Sequence, residues 1–103
     1  MDTRDRLRID KWLWQARFVK SRPLAVELVS AGHLRVNGRK IDKPGRPVGP
    51  GDVLTFALQG QVRVVRILAC GTRRGPAIEA ATLYELIEGP ETTPETVWAP
   101  GAP

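Results

Sequence analysis

Between Arg8 and Asn37 apolar positions recur first every three or four residues and then every second residue. That change of period predicts two short helices running into a strand. The first helix is predicted from about Lys11 to Val19, with Asp10 as its N-cap. On it Ile9, Trp12, Leu13, Ala16 and Val19 fall on one arc of roughly 120 degrees, the width of a core-facing stripe. Trp14 and Phe18 fall on the opposite side, beside Lys11. Two readings of these rings follow: they pack beneath a later segment of the chain, or they form a stacking platform worth roughly 1–3 kcal/mol per unpaired base.

Ser21 is placed to cap a second helix from Arg22 to Ala31, with Pro23 tolerated in the first turn, where amides have no helical partner. Leu24, Ala25, Leu28 and Val29 give its apolar face, and Gly32 supplies the left-handed residue that ends it. Only Lys20 and Ser21 separate the two helical patterns, so Arg17, Lys20 and Arg22 are expected to gather at the junction, beside the free amides of the second helix. Leu34 and Val36 alternate with Arg35 as in a half-buried strand, and Asn37-Gly38 is the strongest hairpin signal in the chain. It returns Arg39, Lys40 and Ile41 as a second strand.

Residues 42–50, rich in Pro and Gly, read as an ordered loop closed by a Gly51-Asp52 turn, with no central strand. Val53 to Leu58 and Val62 to Ala69 alternate as a hairpin turned at Gln59-Gly60. Arg63 and Arg66 have opposite parity, which a bulge near Val64-Val65 would reconcile. Arg73-Arg74-Gly75 reads as a basic turn, and Pro76 opens a helix to about Glu88, with Ala80, Leu83, Tyr84 and Ile87 docked on the core. Gly89-Pro90 ends it. The expected fold class is α+β: two N-terminal helices packed on a small, mostly antiparallel sheet, plus a C-terminal helix. Residues 1–7 are expected to be a flexible N-terminus, 8–89 a single domain and 90–103 a disordered tail.

Length and composition restrict this picture further. A chain of 103 residues holds one domain with a modest core. No apolar run approaches the roughly 20 residues of a membrane span, and the N-terminus lacks a signal-peptide core, so a cytoplasmic location is expected. One cysteine, Cys70, excludes an internal disulfide and a Cys-based zinc site. Residues 1–46 carry 12 Lys/Arg against 5 Asp/Glu, while residues 47–103 carry 4 against 6. The basic half is expected either to attract polyanions with a steep salt dependence or to serve as a solvated face.

Nothing in the sequence assembles a catalytic centre, so a non-enzyme without metal or cofactor is expected. His33 is the sole histidine and has no cysteine or carboxylate cluster at ligand spacing. Asp10 suits a cap, or a partner orienting Arg8 or Arg17, better than a general base. Gly49-Pro50-Gly51-Asp52 lacks the Gly-Lys-Ser/Thr ending of a phosphate loop.

Arg8-Ile9-Asp10-Lys11, Leu13, Arg17, Ser21-Arg22, Ala25, Gly32 and Val36-Asn37-Gly38 together resemble the RNA-binding domain of the ribosomal protein S-four type. Lys11-Trp12-Leu13-Trp14, Arg17-Phe18, Arg73-Arg74, Glu79-Ala80 and Leu83-Tyr84-Glu85 narrow the resemblance to the stand-alone bacterial heat-shock protein fifteen group. The resemblance runs from about Arg8 to Glu88. It implies a ribosome-associated stress protein that binds structured ribosomal RNA, with the large ribosomal subunit carrying a stalled peptidyl-tRNA as its target; tRNA as a further partner and a monomeric state are expected beside it. One branch carries a long basic C-terminal extension; here the tail is short and slightly acidic.

The expected RNA surface centres on Arg17, Lys20, Arg22 and Arg39. Arg8, Lys11 and Arg35 come next, and Lys40, Ser21 and Asn37 complete it, with Arg73 and Arg74 as a secondary contact. Two rival functions stand beside RNA binding. One is a protein-interaction adaptor using Trp14, Phe18 and Trp98, and the other is a targeting subunit for an RNA-modifying enzyme.

Overall fold

The computed structural model describes residues 6–58 and 60–88. Strand β1 (Leu7–Arg8) leads directly into helix α1 (Ile9–Gln15), which begins earlier and ends sooner than its apolar stripe predicts. Asp10 is not the N-cap. The first amides of α1 are taken by loop carbonyls, Ile9 N–H donating to Arg46 O (2.9 Å) and Asp10 N–H to Pro44 O (3.2 Å). At the other end Arg17 takes a left-handed conformation, φ 65°. Its N–H donates to Trp14 O and that of Phe18 to Leu13 O, the paired bonds of a Schellman turn. The chain therefore reverses four residues before the predicted end and drives Phe18 into the core.

Helix α2 (Arg22–Ser30) follows its sequence signals closely. Ser21 Oγ accepts from Leu24 N–H. Gly32, φ 79°, ends the helix with the same pair of turn bonds, to Val29 O and Leu28 O. Strands β2 (Leu34–Val36) and β3 (Arg39–Ile41) form the Asn37-Gly38 hairpin, with both turn residues at positive φ as a tight primed turn requires.

The sheet has five antiparallel strands in the order β3-β2-β5-β6-β7, with β5 at Val53–Leu58, β6 at Gln61–Ile67 and β7 at Tyr84–Glu88. Its inner face, built from Leu34, Val36, Leu54, Phe56, Val65 and Ile67, closes over Ile9, Trp12, Leu13 and Leu28 from the helices. Phe18 sits between Phe56 and Tyr84, with ring centroids 5.0 and 4.6 Å away. A further short strand, β4 (Pro47–Val48), pairs with β1 and tethers the Pro-rich loop to the start of α1. Two-residue pairing at an edge is compatible with the prolines, as the exclusion of a central strand requires.

The α+β class and antiparallel sheet agree with expectation, but the C-terminal helix is a single turn, α3 (Ala77–Ala80), continued by a 3-10 turn to Leu83. Tyr84 to Glu88 then extends and pairs with β6. The open edge of β6 offers unpaired backbone groups, and satisfying them outweighs the helical spacing of Leu83, Tyr84 and Ile87. Ile87 is consequently exposed and not a core residue. The β6–β7 register shifts between Val64 and Val65, but the extra residue is Ile87 on β7, and β6, where the bulge is expected, runs without interruption. The shift does not bring Arg63 and Arg66 together: Arg63 is buried on the inner face and Arg66 pairs with Glu85 outside. Residues 1–5, the end signal at Gly89-Pro90, the tail and Trp98 lie outside the described residues.

Candidate nucleic-acid interface

Cations predicted to face a polyanion fall into two groups once their side chains are followed. In the first group each is held by an acceptor of the protein itself. Asp10, only 1% exposed, receives Arg8 in a two-pronged bond, Nε to Oδ1 (3.1 Å) and Nη2 to Oδ2 (3.0 Å). Arg22 reaches the same carboxylate at 3.4 Å. Because the Arg8 and Arg22 side chains remain about half exposed, this cluster orients them without taking them out of water.

The end of α1 is bracketed by a second pair of arginines. Arg17 Nε donates to Gly75 O (2.6 Å), and Arg74 Nε donates to Trp14 O (3.1 Å). The Arg74 guanidinium also lies over the Trp14 ring, 5.7 Å from its centre. Burial, and then the like charge of Arg17, hold the Arg74 guanidinium below its ordinary pKa. The bracket joins α1 to the 73–75 turn and covers Trp14, which leaves neither predicted aromatic free: Phe18 is fully buried and Trp14 is half-buried under Arg74.

Three other predicted site residues are also engaged within the fold. Ser21 caps α2. Asn37 bridges two turns, accepting from Val53 N–H (2.9 Å) and donating to Asp52 Oδ1 (3.1 Å). Arg73 pairs with Glu79 at 2.9 Å.

In the second group are Lys11, Lys20, Arg35, Arg39 and Lys40, which make no ion pair or side-chain hydrogen bond among the described residues. Lys20 projects at the helix junction and Lys11 from α1, while Arg35, Arg39 and Lys40 line the β2–β3 hairpin. Lys40 and Arg35 are cross-strand partners, and the alternation that buries Leu34 and Val36 exposes Arg35. The stem of Lys40 lies over Gly32, where a Cβ would come within 2.6 Å of its Cε, so the glycine at the end of α2 also makes room for this cation.

Sequence reasoning missed Lys43 and Arg46, which belong to the second group and continue it into the loop after β3. Lys43-Pro44-Gly45-Arg46 reads as a spacer because prolines and glycines dominate it. The signal that finds it is that each cation is followed by a proline, Lys43-Pro44 and Arg46-Pro47, which restricts the backbone presenting the charge.

Arg63 stands apart from both groups. It is 2% exposed, and its Nε and Nη1 have no hydrogen-bond partner among the described residues. Burial lowers its pKa, against an opposing effect of Tyr84.

Residues 7–54 match the S4 domain family. Heat shock protein 15 of Escherichia coli (strain K12) is 43% identical over 79 residues, covering 77% of this chain and 59% of that protein. This chain thus spans about three fifths of the length of that curated relative. Among solved structures, the trimeric structure of Vibrio cholerae heat shock protein 15 matches with a TM-score of 0.75 at 36% identity, covering 79% of this chain and 81% of that one. A partial match, 48% identical over 48 residues, is to small ribosomal subunit protein uS4 of Thermoanaerobacter sp. (strain X514), covering 47% of this chain and 23% of that protein.

Proposed function

The chain belongs to the heat shock protein 15 family, and on that premise we propose that it is a non-catalytic protein that binds structured RNA through the cations its own fold leaves free. The observation that carries this reading is that Arg35, Arg39, Lys40, Lys43 and Arg46 crowd the hairpin and the following loop with none of them neutralised among the described residues, Arg35 and Lys40 on one face of the hairpin and Arg39 opposite Val36 on the other. Lys20 and Lys11 extend it along the helices. Arg8 and Arg22, oriented by Asp10 and half exposed, flank it. Folded RNA presents phosphates, shape and 2′-hydroxyls, which suit a rigid rim of cations.

The target proposed is ribosomal RNA in the large ribosomal subunit, in particles carrying a stalled peptidyl-tRNA, with residues 8–89 acting as one domain and one chain per site in the cytoplasm. Sedimentation of tagged protein through a gradient tests it. The protein is expected in the large-subunit fraction, enriched after heat stress, and displaced by salt and by nuclease. Absence from every particle fraction, or retention there after nuclease, overturns it. An adaptor working through Trp14 and Phe18 is less well supported, because one ring is in the core and the other lies under Arg74.

A further inference from the structure

Between β3 and β4 lies a shallow open groove of about 700 Å³, lined by Lys40, Ile41, Lys43, Gly45, Arg46 and Pro47, with Asp42 as the single acid among its lining residues. Its wall is preformed. Arg46 N–H donates to Lys43 O (3.0 Å), making a tight turn, and the carbonyls of Pro44 and Arg46 are spent on the first amides of α1. The surface these residues leave is a proline ring, an isoleucine and a bare glycine, rimmed by three cations without a partner among the described residues. The Arg8 guanidinium lies beside Gly45, 3.7 Å from where a Cβ would stand, held in one plane by its two bonds to buried Asp10.

We propose that this groove receives a single unpaired nucleotide, a bulge or loop residue of the bound RNA, an inference that rests on the RNA-binding reading above. A phosphate alone needs cations and gains nothing from an apolar floor. The volume lies within the roughly 300–1,000 Å³ typical of small-ligand sites and exceeds what one phosphate occupies. Paired bases hide their faces within the helix, so only an extruded nucleotide offers an apolar plane attached to an anion. Lys43 and Arg46 take the flanking phosphates, Ile41 and Pro47 take the sugar and base, and the fixed guanidinium of Arg8 supplies a flat partner for stacking, a role arginine planes play with unstacked bases.

The test compares two RNA hairpins, one fully paired and one with a single-nucleotide bulge carrying 2-aminopurine, against the full chain and Gly45→Leu. Gly45 has no positive φ, and a Cβ there meets the Arg8 guanidinium at ordinary contact distance, so a leucine covers that stacking plane without removing a charge. The wild-type chain is expected to prefer the bulged hairpin by about tenfold and to change the 2-aminopurine fluorescence. Gly45→Leu is expected to lose both effects while binding the paired hairpin as before. Should that variant fail to melt cooperatively, Ile41→Asn at the half-buried edge, which removes the apolar floor without adding a charge, serves in its place, with the same expected loss of preference. Equal wild-type binding to both hairpins, or equal weakening of both by the variant, overturns the nucleotide site and leaves RNA binding intact. Wild-type binding to neither hairpin overturns both.

Discussion

Around the two ends of α1 and the start of α2, Arg8, Arg17 and Arg22 are each met by an acceptor from the protein, whereas on the hairpin and its following loop Arg35, Arg39, Lys40, Lys43 and Arg46 are met by none among the described residues. Both regions are basic, and by sequence they look equally suited to an anion. The difference lies in what surrounds them. The junction is where two helix ends must be closed, leaving backbone carbonyls and a buried carboxylate that need donors. The hairpin closes its own backbone bonds through Asn37 and Gly38, so its cations have nothing to satisfy inside the fold and stay exposed. Arginines around the helix ends are therefore tied into the scaffold, whereas the cations of the hairpin and loop keep their full charge toward solvent.

The hardest break of this contrast is at Phe18. Phe18→Ala removes the ring between Phe56 and Tyr84 and is expected to cost about 3–5 kcal/mol in chemical denaturation. A loss of RNA affinity without that loss of stability would return the ring to the interface.

Asp10→Ala releases Arg8 and Arg22 and the Lys11 amide together. Because both guanidiniums are about half exposed, the expected cost is about 2 kcal/mol, below that of a fully buried pair. Affinity for paired RNA should not fall, since the cations remain. If affinity collapses at unchanged stability, the junction contacts RNA through that cluster.

Arg17 separates backbone from side chain. Arg17→Ala keeps the left-handed strain and loses the bond to Gly75 O, while Arg17→Gly relieves the strain. The glycine variant is expected to be about 1 kcal/mol more stable than the alanine variant in thermal melts. Equal stabilities would show that the turn at Arg17 is not strained.

Arg63→Met removes two buried donors without a partner among the described residues and is expected to raise stability by about 1 kcal/mol. Destabilisation would reveal an acceptor for it.

Removing Arg39, Lys43 and Arg46 together should move stability least, within about 0.5 kcal/mol, because their side chains hold no other part of the fold. The same variant should flatten the salt slope of RNA binding by roughly 0.7–0.9 for each phosphate that is no longer neutralised. An unchanged slope would remove the hairpin and loop from the interface.

Much of the scaffold is legible in the sequence. Ser21 and Gly32 bound α2, Asn37-Gly38 sets the hairpin, and the alternation of Leu34 and Val36 names the buried face of β2, as Leu54 and Phe56 do for β5. The candidate surface is legible there only as a set of charges. Which of them are free is not, and Lys43 and Arg46 are hidden by the prolines and glycines around them.

The sequence by itself determined the elements whose signals are complete within a few residues: a capping hydroxyl three positions before the amide it meets, a glycine at a helix end, a two-residue turn. Tertiary structure decided everything that needs a distant partner. The acceptor of Arg17 lies 58 residues away and that of Arg74 lies 60, so no local pattern distinguishes these arginines from Arg39. The early stop of α1, the strand at Tyr84–Glu88 and the pairing of Leu7 with Val48 share that cause. Each satisfies backbone or buries a ring against a surface that exists only after the sheet has formed, and a sheet edge or a core cavity imposes its geometry more strongly than the modest helical preference of a short segment.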